Sequence, residues 1–294
     1  MKNYIVFKKQ RDLGELLGDT FGFLRQEFKP FFKIFFNVAG PALFISLIAF
    51  AAYSYLVGDV FSFNLLETNN FNMASPFIII SAAFIYVLSA MAAYVYAVTA
   101  TLGYIKSYVD NDGQARLEDV KQHVKNYFWG ITGLALLKGI TLVFAMLLCI
   151  LPVFYAMIPM AVVYSIYIFG HNTSAMDAFG NSFKLVNNDF WNAFGTFIIL
   201  GILFYVLSMV FSIPAAIYTW IKMGVFSGEV DPTNLETLSD PFYIFLNVIN
   251  TLVQFLLNII LFVGATFIYF HLNEKENFTG TLERIDNIGE NPTS

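Results

Sequence analysis

The chain has 294 residues, 57% of them hydrophobic and only 13% charged, whereas a soluble domain carries about 25% charged residues. So much apolar surface excludes a water-soluble globule, and the net charge of −5 is scattered over loops and tails, leaving no basic footprint for nucleic acid. The 34 Phe and 16 Tyr suit lipid-facing surfaces and interfacial belts, and the single cysteine, Cys149 in an apolar run, excludes a disulfide framework or thiolate metal cluster and reads as a small buried hydrophobe.

The start, MKNYIVFKKQRDLGELLGDTF, lacks the apolar core and cleavage site of a signal peptide. The first hydrophobic span is therefore expected to act as the insertion signal and to be retained. Residues 1–29 predict a cytoplasmic segment with an amphipathic helix, and 273–294 a disordered cytoplasmic tail. Between them, six runs reach the about 20 residues that a helix needs to cross a hydrocarbon core about 30 Å thick. They cover 30–57, 76–106, 128–150, 152–170, 190–222 and 241–270. None alternates apolar with polar residues as a barrel strand does; SPFIIISAAFIYVLSAMAAYVYAV is continuously apolar. The predicted fold class is an all-α integral membrane protein.

Positive charge sets the predicted orientation. Lys2, Lys8, Lys9, Arg11, Arg25, Lys29 and Lys33 precede or open the first span; Lys106, Arg116, Lys121 and Lys125 lie between the second and third. Lys184 precedes the fifth, and Lys275 and Arg284 follow the sixth. Only Lys138, inside span three, and Lys222, at the far end of span five, fall elsewhere, so both termini are expected in the cytoplasm. The opposite loops, 58–75 and 224–240, carry Asp59, Glu67, Glu229, Asp231, Glu236 and Asp240 but no Lys or Arg.

An internal repeat also emerges. Residues 15–28 (ELLGDTFGFLRQEF) laid over 177–190 (DAFGNSFKLVNNDF) match Gly18 with Gly180, Phe21 with Phe183 and Phe28 with Phe190; Phe32/Phe194 and Phe35/Phe197 continue the register. Glu15/Asp177, Thr20/Ser182 and Glu27/Asp189 pair conservatively. The segment LEDVKQHVKNYFWG, 117–130, holds the equivalent place before span three as a degenerate third copy. Returning helices are expected to begin at Pro76, Pro152 and Pro241, where a missing N–H costs nothing, with Ser75 and Asp240 as N-caps. The six spans thus read as three hairpins, each preceded by a cytoplasmic amphipathic interfacial helix, in units of about 13–109, 115–170 and 174–272. In the helix over 174–188, Ser174 and Asp177 have capping-box spacing, and Ala178, Phe179, Phe183 and Val186 share one face opposite Lys184, Asn187 and Asn188. Such a helix sets hairpin angle and depth, or senses the membrane or docks a partner.

SAMDAFGNSFKLVNNDFWNAFGTF and LGELLGDTFGFLRQEF resemble the multi-span family typified by the membrane domain of glycerophosphoryl diester phosphodiesterases. The resemblance implies a six-span bacterial inner-membrane protein without phosphodiesterase chemistry, which in those enzymes belongs to a separate soluble domain.

Catalytic patterns are absent from the sequence: there is no HExxH, GxSxG, Walker motif or dinucleotide fingerprint, and no cofactor is expected. His123, His171 and His271 read as boundary residues, with a shared role for His171 and His271 as the alternative. Two polar features stand out. Lys138 falls near the midplane if span three begins at Phe128, where an ionisable residue is either functional or snorkels. In span six, Asn247, Asn250, Gln254 and Asn258 share one arc, as helix glue, as a cavity lining, or as acceptors for Lys138. Span two carries a small-residue face, Ala90, Ala93, Ala97 and Ala100, for packing within the chain or against another subunit. The leading expectation is a non-enzymatic scaffold or subunit of a membrane complex whose partners are lipids and other membrane proteins. A transporter or channel component for a small polar solute is the runner-up, and a membrane-embedded enzyme the third reading.

Overall fold

A computed structural model describes residues 4–64, 74–148, 150–170, 173–225, 240–282 and 285, with the side chains of 59–64, 74, 75 and 150 left aside. Cys149, His171 and most of the two acidic loops lie outside the described residues, as do Arg284 and 286–294. The described elements are helices: α1 (Leu13–Val38), α2 (Gly40–Asn64), α3 (Ala74–Asp110), α4 (Leu117–Leu148), α5 (Ile150–Phe169), α6 (Ala175–Asn187), α7 (Phe190–Lys222) and α8 (Pro241–Asn277). Six of them, α2 to α5, α7 and α8, are long and apolar enough to cross a membrane. At 37 residues, α3 is about 55 Å long and exceeds a bilayer core, as α8 does.

Three boundaries differ from the sequence expectation. Residues 30–38 belong to α1, and the first span starts at Gly40. Gly40-Pro41 explains the break: proline disfavours helical geometry in the residue before it and supplies no N–H, so it fits the first turn of a new helix. The segment 117–130 is not a separate interfacial helix, because α4 runs unbroken from Leu117 to Leu148. Its one glycine in that stretch, Gly130, lies against the Tyr167 ring of α5, where a Cβ would overlap the hydroxyl. Helix α8 continues to Asn277, beyond the expected tail boundary, and 279–282 are helical again. Helix α3 begins at Ala74, so Ser75 falls inside it, whereas Asp240 caps α8, its Oδ1 accepting from Phe242 N at 2.9 Å.

The chain divides into two compact units, with α3, α7 and α8 contributing a stretch to each. Unit 1 comprises Met1–Val38, Val95–Leu203 and Ile259–Ser294. Within it, α5 packs against α4 and α6, and α4 also meets α1 and α6. Its core holds Phe23, Phe31 and Tyr104, with Ile131, Leu134 and Phe267. Gly264 lets α8 pass Leu200 of α7 more closely than any side chain would allow. Helix α6 has a full capping box: Asp177 N donates to Ser174 Oγ at 3.2 Å, and Ser174 N to Asp177 Oδ2 at 3.4 Å. It buries Ala178, Ser182, Leu185 and Val186, while Phe179 and Phe183 are only half-buried, so the inward face is rotated from the one read in the sequence. Helix α1 starts alike, Glu15 N donating to Asp12 Oδ1 at 2.7 Å and Asp12 N to Glu15 Oε2 at 3.3 Å, and buries Leu16, Thr20 and Phe23. Ser174→Ala removes the α6 cap and should cost about 1 kcal/mol, seen as faster amide exchange in the first turn of α6; Ser174→Asp should restore protection.

Unit 2 comprises Ala39–Tyr94 and Phe204–Asn258. Tyr86 of α3 meets Phe50 (ring centroids 5.3 Å) and Tyr53 (5.7 Å) of α2. At the other pair, Asp240 Oδ2 accepts from Tyr218 Oη at 2.7 Å and pairs with Lys222 Nζ at 3.1 Å, joining the end of α7 to the start of α8. The tyrosyl hydrogen bond and then the lysine hold the Asp240 carboxyl down to about 2. Lys222, one of the two basic residues outside the charge pattern, is thus neutralised by its neighbour. Exposed Phe44, Ile45, Phe77, Phe84, Tyr205 and Met209 give this unit an apolar exterior, which suits lipid and not water.

Candidate functional site

Lys138 is half-buried on α4 in unit 1, its Nζ 5.2 Å from the centre of the Tyr164 ring of α5. An aromatic face is a suitable neighbour for an ammonium removed from water. The span-six amides belong to unit 2, where they bond along their own helix. Asn247 Nδ2 donates to Tyr243 O at 2.9 Å, Gln254 Nε2 to Asn250 Oδ1 at 3.4 Å, and Asn258 Nδ2 to Gln254 O at 2.8 Å. Their polar groups are therefore largely satisfied locally. Ala93, Ala97 and Ala100 are buried within the chain, and Ala90 is half-buried.

A polar cluster that the sequence reading did not identify lies in unit 1, around the segment preceding α1. Phe7 stacks on Phe267 of α8 with ring centroids 4.4 Å apart, and the Arg11 guanidinium lies 4.9 Å from the same ring. Fully buried, Arg11 gives Nη1 to Phe7 O (2.7 Å) and Lys9 O (3.0 Å), Nη2 to Val6 O, and Nε to Asp19 Oδ2 at 2.8 Å. The planar fork of donors makes this possible; an ammonium lacks that geometry. Beyond α8, Phe278 adopts a positive φ of 53° and turns the chain back. Glu274 then accepts from Gly280 N (2.7 Å), Thr281 N (2.9 Å), Thr281 Oγ1 (2.7 Å) and Thr279 Oγ1 (3.2 Å). A Cβ at Gly280 would stand 2.6 Å from Lys8 O, so the returning chain packs on the N-terminal segment only because that residue is glycine.

His271 joins these parts. The backbone N–H of Arg11 donates to its Nδ1 at 3.0 Å, which requires that nitrogen to be unprotonated and places the ring proton on Nε2. Nε2 faces Asp189 Oδ2 at 3.1 Å and Asn192 at 3.3 Å. Lys275 Nζ also donates to Asp189 Oδ2, at 2.9 Å. Burial opposes ionisation of Asp189, but the hydrogen bonds from Lys275 and His271 outweigh it and hold the carboxyl below its ordinary range. An aspartate–histidine pair is a familiar catalytic part, yet a general base needs a ring nitrogen facing its substrate or nucleophile. Here both nitrogens are engaged by the protein, and the arrangement is a clamp.

No protein-family model, curated protein or solved structure matches this chain.

A second buried acid, Glu27 of α1, accepts from Tyr104 Oη of α3 at 2.9 Å. Among the described residues, no group of three or more His, Cys, Asp or Glu side chains is arranged to hold a metal ion. The sequence signal for these sites is partial: the repeat aligns Glu27 with Asp189, and His271 stands out as a boundary histidine with His171 as its alternative partner, but nothing in the pattern points to its contacts with Arg11 and Asp189 or to the roles of Arg11 and Glu274.

Proposed function

We propose that the protein is a non-enzymatic scaffold or subunit of a larger assembly in the bacterial cytoplasmic membrane, with both termini in the cytoplasm. The observation that carries this reading is the double engagement of His271, which directs its pair with Asp189 to holding the N-terminal segment against α7 and α8. Arg11 and Glu274 act likewise, binding backbone groups of flanking segments. The orientation is supported by the 16 Lys and Arg residues, since Lys222 is paired with Asp240. Trp129 and Trp191, one residue past Phe128 and Phe190 and each 79% exposed, suit anchors at the headgroup level.

Three hairpins remain the architecture we favour for the repeat, with separate leading helices, α1 and α6, in the first and third units only. Its support is a constant offset between α1 and α6: the capping pairs Asp12/Glu15 and Ser174/Asp177, and the buried positions 16, 20, 23 and 178, 182, 185, correspond one to one. The acids Glu27 and Asp189 correspond too, and each bonds a helix that follows, α3 or α8. A distant relation to the membrane domain of glycerophosphoryl diester phosphodiesterases is part of the same proposal.

Extraction from native membranes in mild detergent should carry other membrane proteins along with the tagged full-length chain, identified by mass spectrometry. A monodisperse particle of this chain alone would overturn the scaffold reading. Reporter fusions at Ser294 and in the 224–240 loop should report opposite sides of the membrane, with the C-terminal one cytoplasmic.

A further inference from the structure

A pocket of about 290 Å³ opens in unit 1 where the end of α5, the middle of α6 and the last turns of α8 converge. Ile166 and Leu185 give it an apolar wall; Asn181, Lys184, Asn273 and Glu276 supply polar groups. Tyr269 also lines it. This tyrosine is only 5% exposed, its ring stacks on Phe169 at 6.0 Å, and its hydroxyl makes no hydrogen bond to any described residue. The ring is thus held in the protein while the hydroxyl is left free to bond a molecule that enters the pocket. Lys184 and Glu276 form no ion pair with a described residue, although Lys275 beside Glu276 is paired with Asp189. Asn273 is held in place, its Nδ2 donating to Thr279 Oγ1 at 3.1 Å and its Oδ1 accepting from Asn277 at 2.9 Å.

Opposite charges that line one small pocket without pairing suit a ligand that carries both. Lys184, the Asn181 amide and the Tyr269 hydroxyl are donors for an anionic oxygen group; Glu276 and the carbonyl end of α5 at Gly170 are acceptors for an ammonium. The size suits a headgroup rather than a drug-sized molecule. We propose that this pocket binds a phosphoethanolamine group, with the phosphate on the α6 side and the ammonium on the α8 side. The group comes either from a phosphatidylethanolamine headgroup or from a free phosphoethanolamine. The lipid source rests on the proposed headgroup-level placement of α6; the free source does not.

The test titrates the purified full-length chain, in a neutral detergent, with short-chain phosphatidylethanolamine, phosphatidylglycerol and phosphatidylcholine and with free phosphoethanolamine, reading intrinsic fluorescence. Phosphatidylethanolamine should bind at least about tenfold more tightly than the other two lipids, a difference of one charge-assisted contact. Lys184→Gln should weaken every phosphate ligand about tenfold, while Glu276→Gln should weaken only the ethanolamine compounds by a similar factor. Tyr269→Phe should weaken binding with an unchanged preference. Competition by free phosphoethanolamine identifies a headgroup site that needs no acyl chain; binding of the lipid alone identifies a membrane-lipid site. Equal affinity for the three lipids, or no loss in Lys184→Gln and Glu276→Gln, would overturn the proposal. Lys184 and Glu276 are exposed, so their variants should fold, checked by unchanged melting without ligand. Co-purification of partners is an independent measurement, so the scaffold reading stands or falls separately.

Discussion

Arg11→Ala should lower the stability of the detergent-solubilised chain by about 3 kcal/mol and release the segment before α1 to limited proteolysis. The argument starts from the number of bonds on one side chain. Arg11 is buried, and its guanidinium satisfies the carbonyls of Val6, Phe7 and Lys9 while pairing with Asp19 and lying over Phe267. Truncation leaves three acceptors without this donor and opens a space beneath Phe7, whose ring is the main apolar anchor of the segment. The Arg11 N–H is also held in place by this fold, so its bond to His271 Nδ1 should loosen with the segment. Arg11→Lys should recover little, because one ammonium cannot replace the fork that serves three carbonyls and a carboxylate. Far-UV circular dichroism should barely change, since the spans keep their own hydrogen bonds; the loss belongs in the melting temperature and in cleavage within residues 4–12. An unaltered melting temperature with a protected N-terminus would refute the clamp.

The contrast between legible and illegible features follows from the range of the interactions. Six spans are readable because each is a local property of one apolar run, and the helical backbone must close its bonds within that run. The first boundary was masked by the same hydrophobicity: Phe31, Ile34 and Phe35 look like lipid-facing residues, yet they are buried on α1. The Gly40-Pro41 pair was the local sign of the break. In α4 the amphipathic start passes into the apolar part without a breaker, so a change in composition looks like a change of element in the sequence.

The polar sites depend on partners far apart in the chain. Arg11 and His271 are separated by 260 residues, and Glu27 and Tyr104 by 77. No local spacing encodes such pairs, and the isolated charges look like ordinary boundary residues until the helices bring them together. The span-six amides show the reverse case. Their shared arc was visible, but amides four residues apart can bond along their own helix, as Asn250 and Gln254 do. A polar stripe alone does not distinguish that from a cavity.

The Glu27–Tyr104 bond allows the cleanest energetic test of a long-range polar contact in this fold. Glu27 is 2% exposed and Tyr104 1%, so water cannot readily replace either partner. Tyr104→Phe keeps the aromatic packing against Phe23 and Phe31 but removes the donor to the carboxyl, and should cost about 1–3 kcal/mol. Glu27→Leu removes the acceptor and strands the tyrosyl hydroxyl, with a loss of similar size. In the double variant Glu27→Leu/Tyr104→Phe neither polar atom remains, and an apolar pair of comparable volume faces the same core. Its loss should fall short of the sum of the single losses by about 0.5–3 kcal/mol, the coupling of groups in direct contact. Melting temperatures of the wild type, the two singles and the double, in one detergent, complete the cycle. Additive losses would show that the two side chains do not interact.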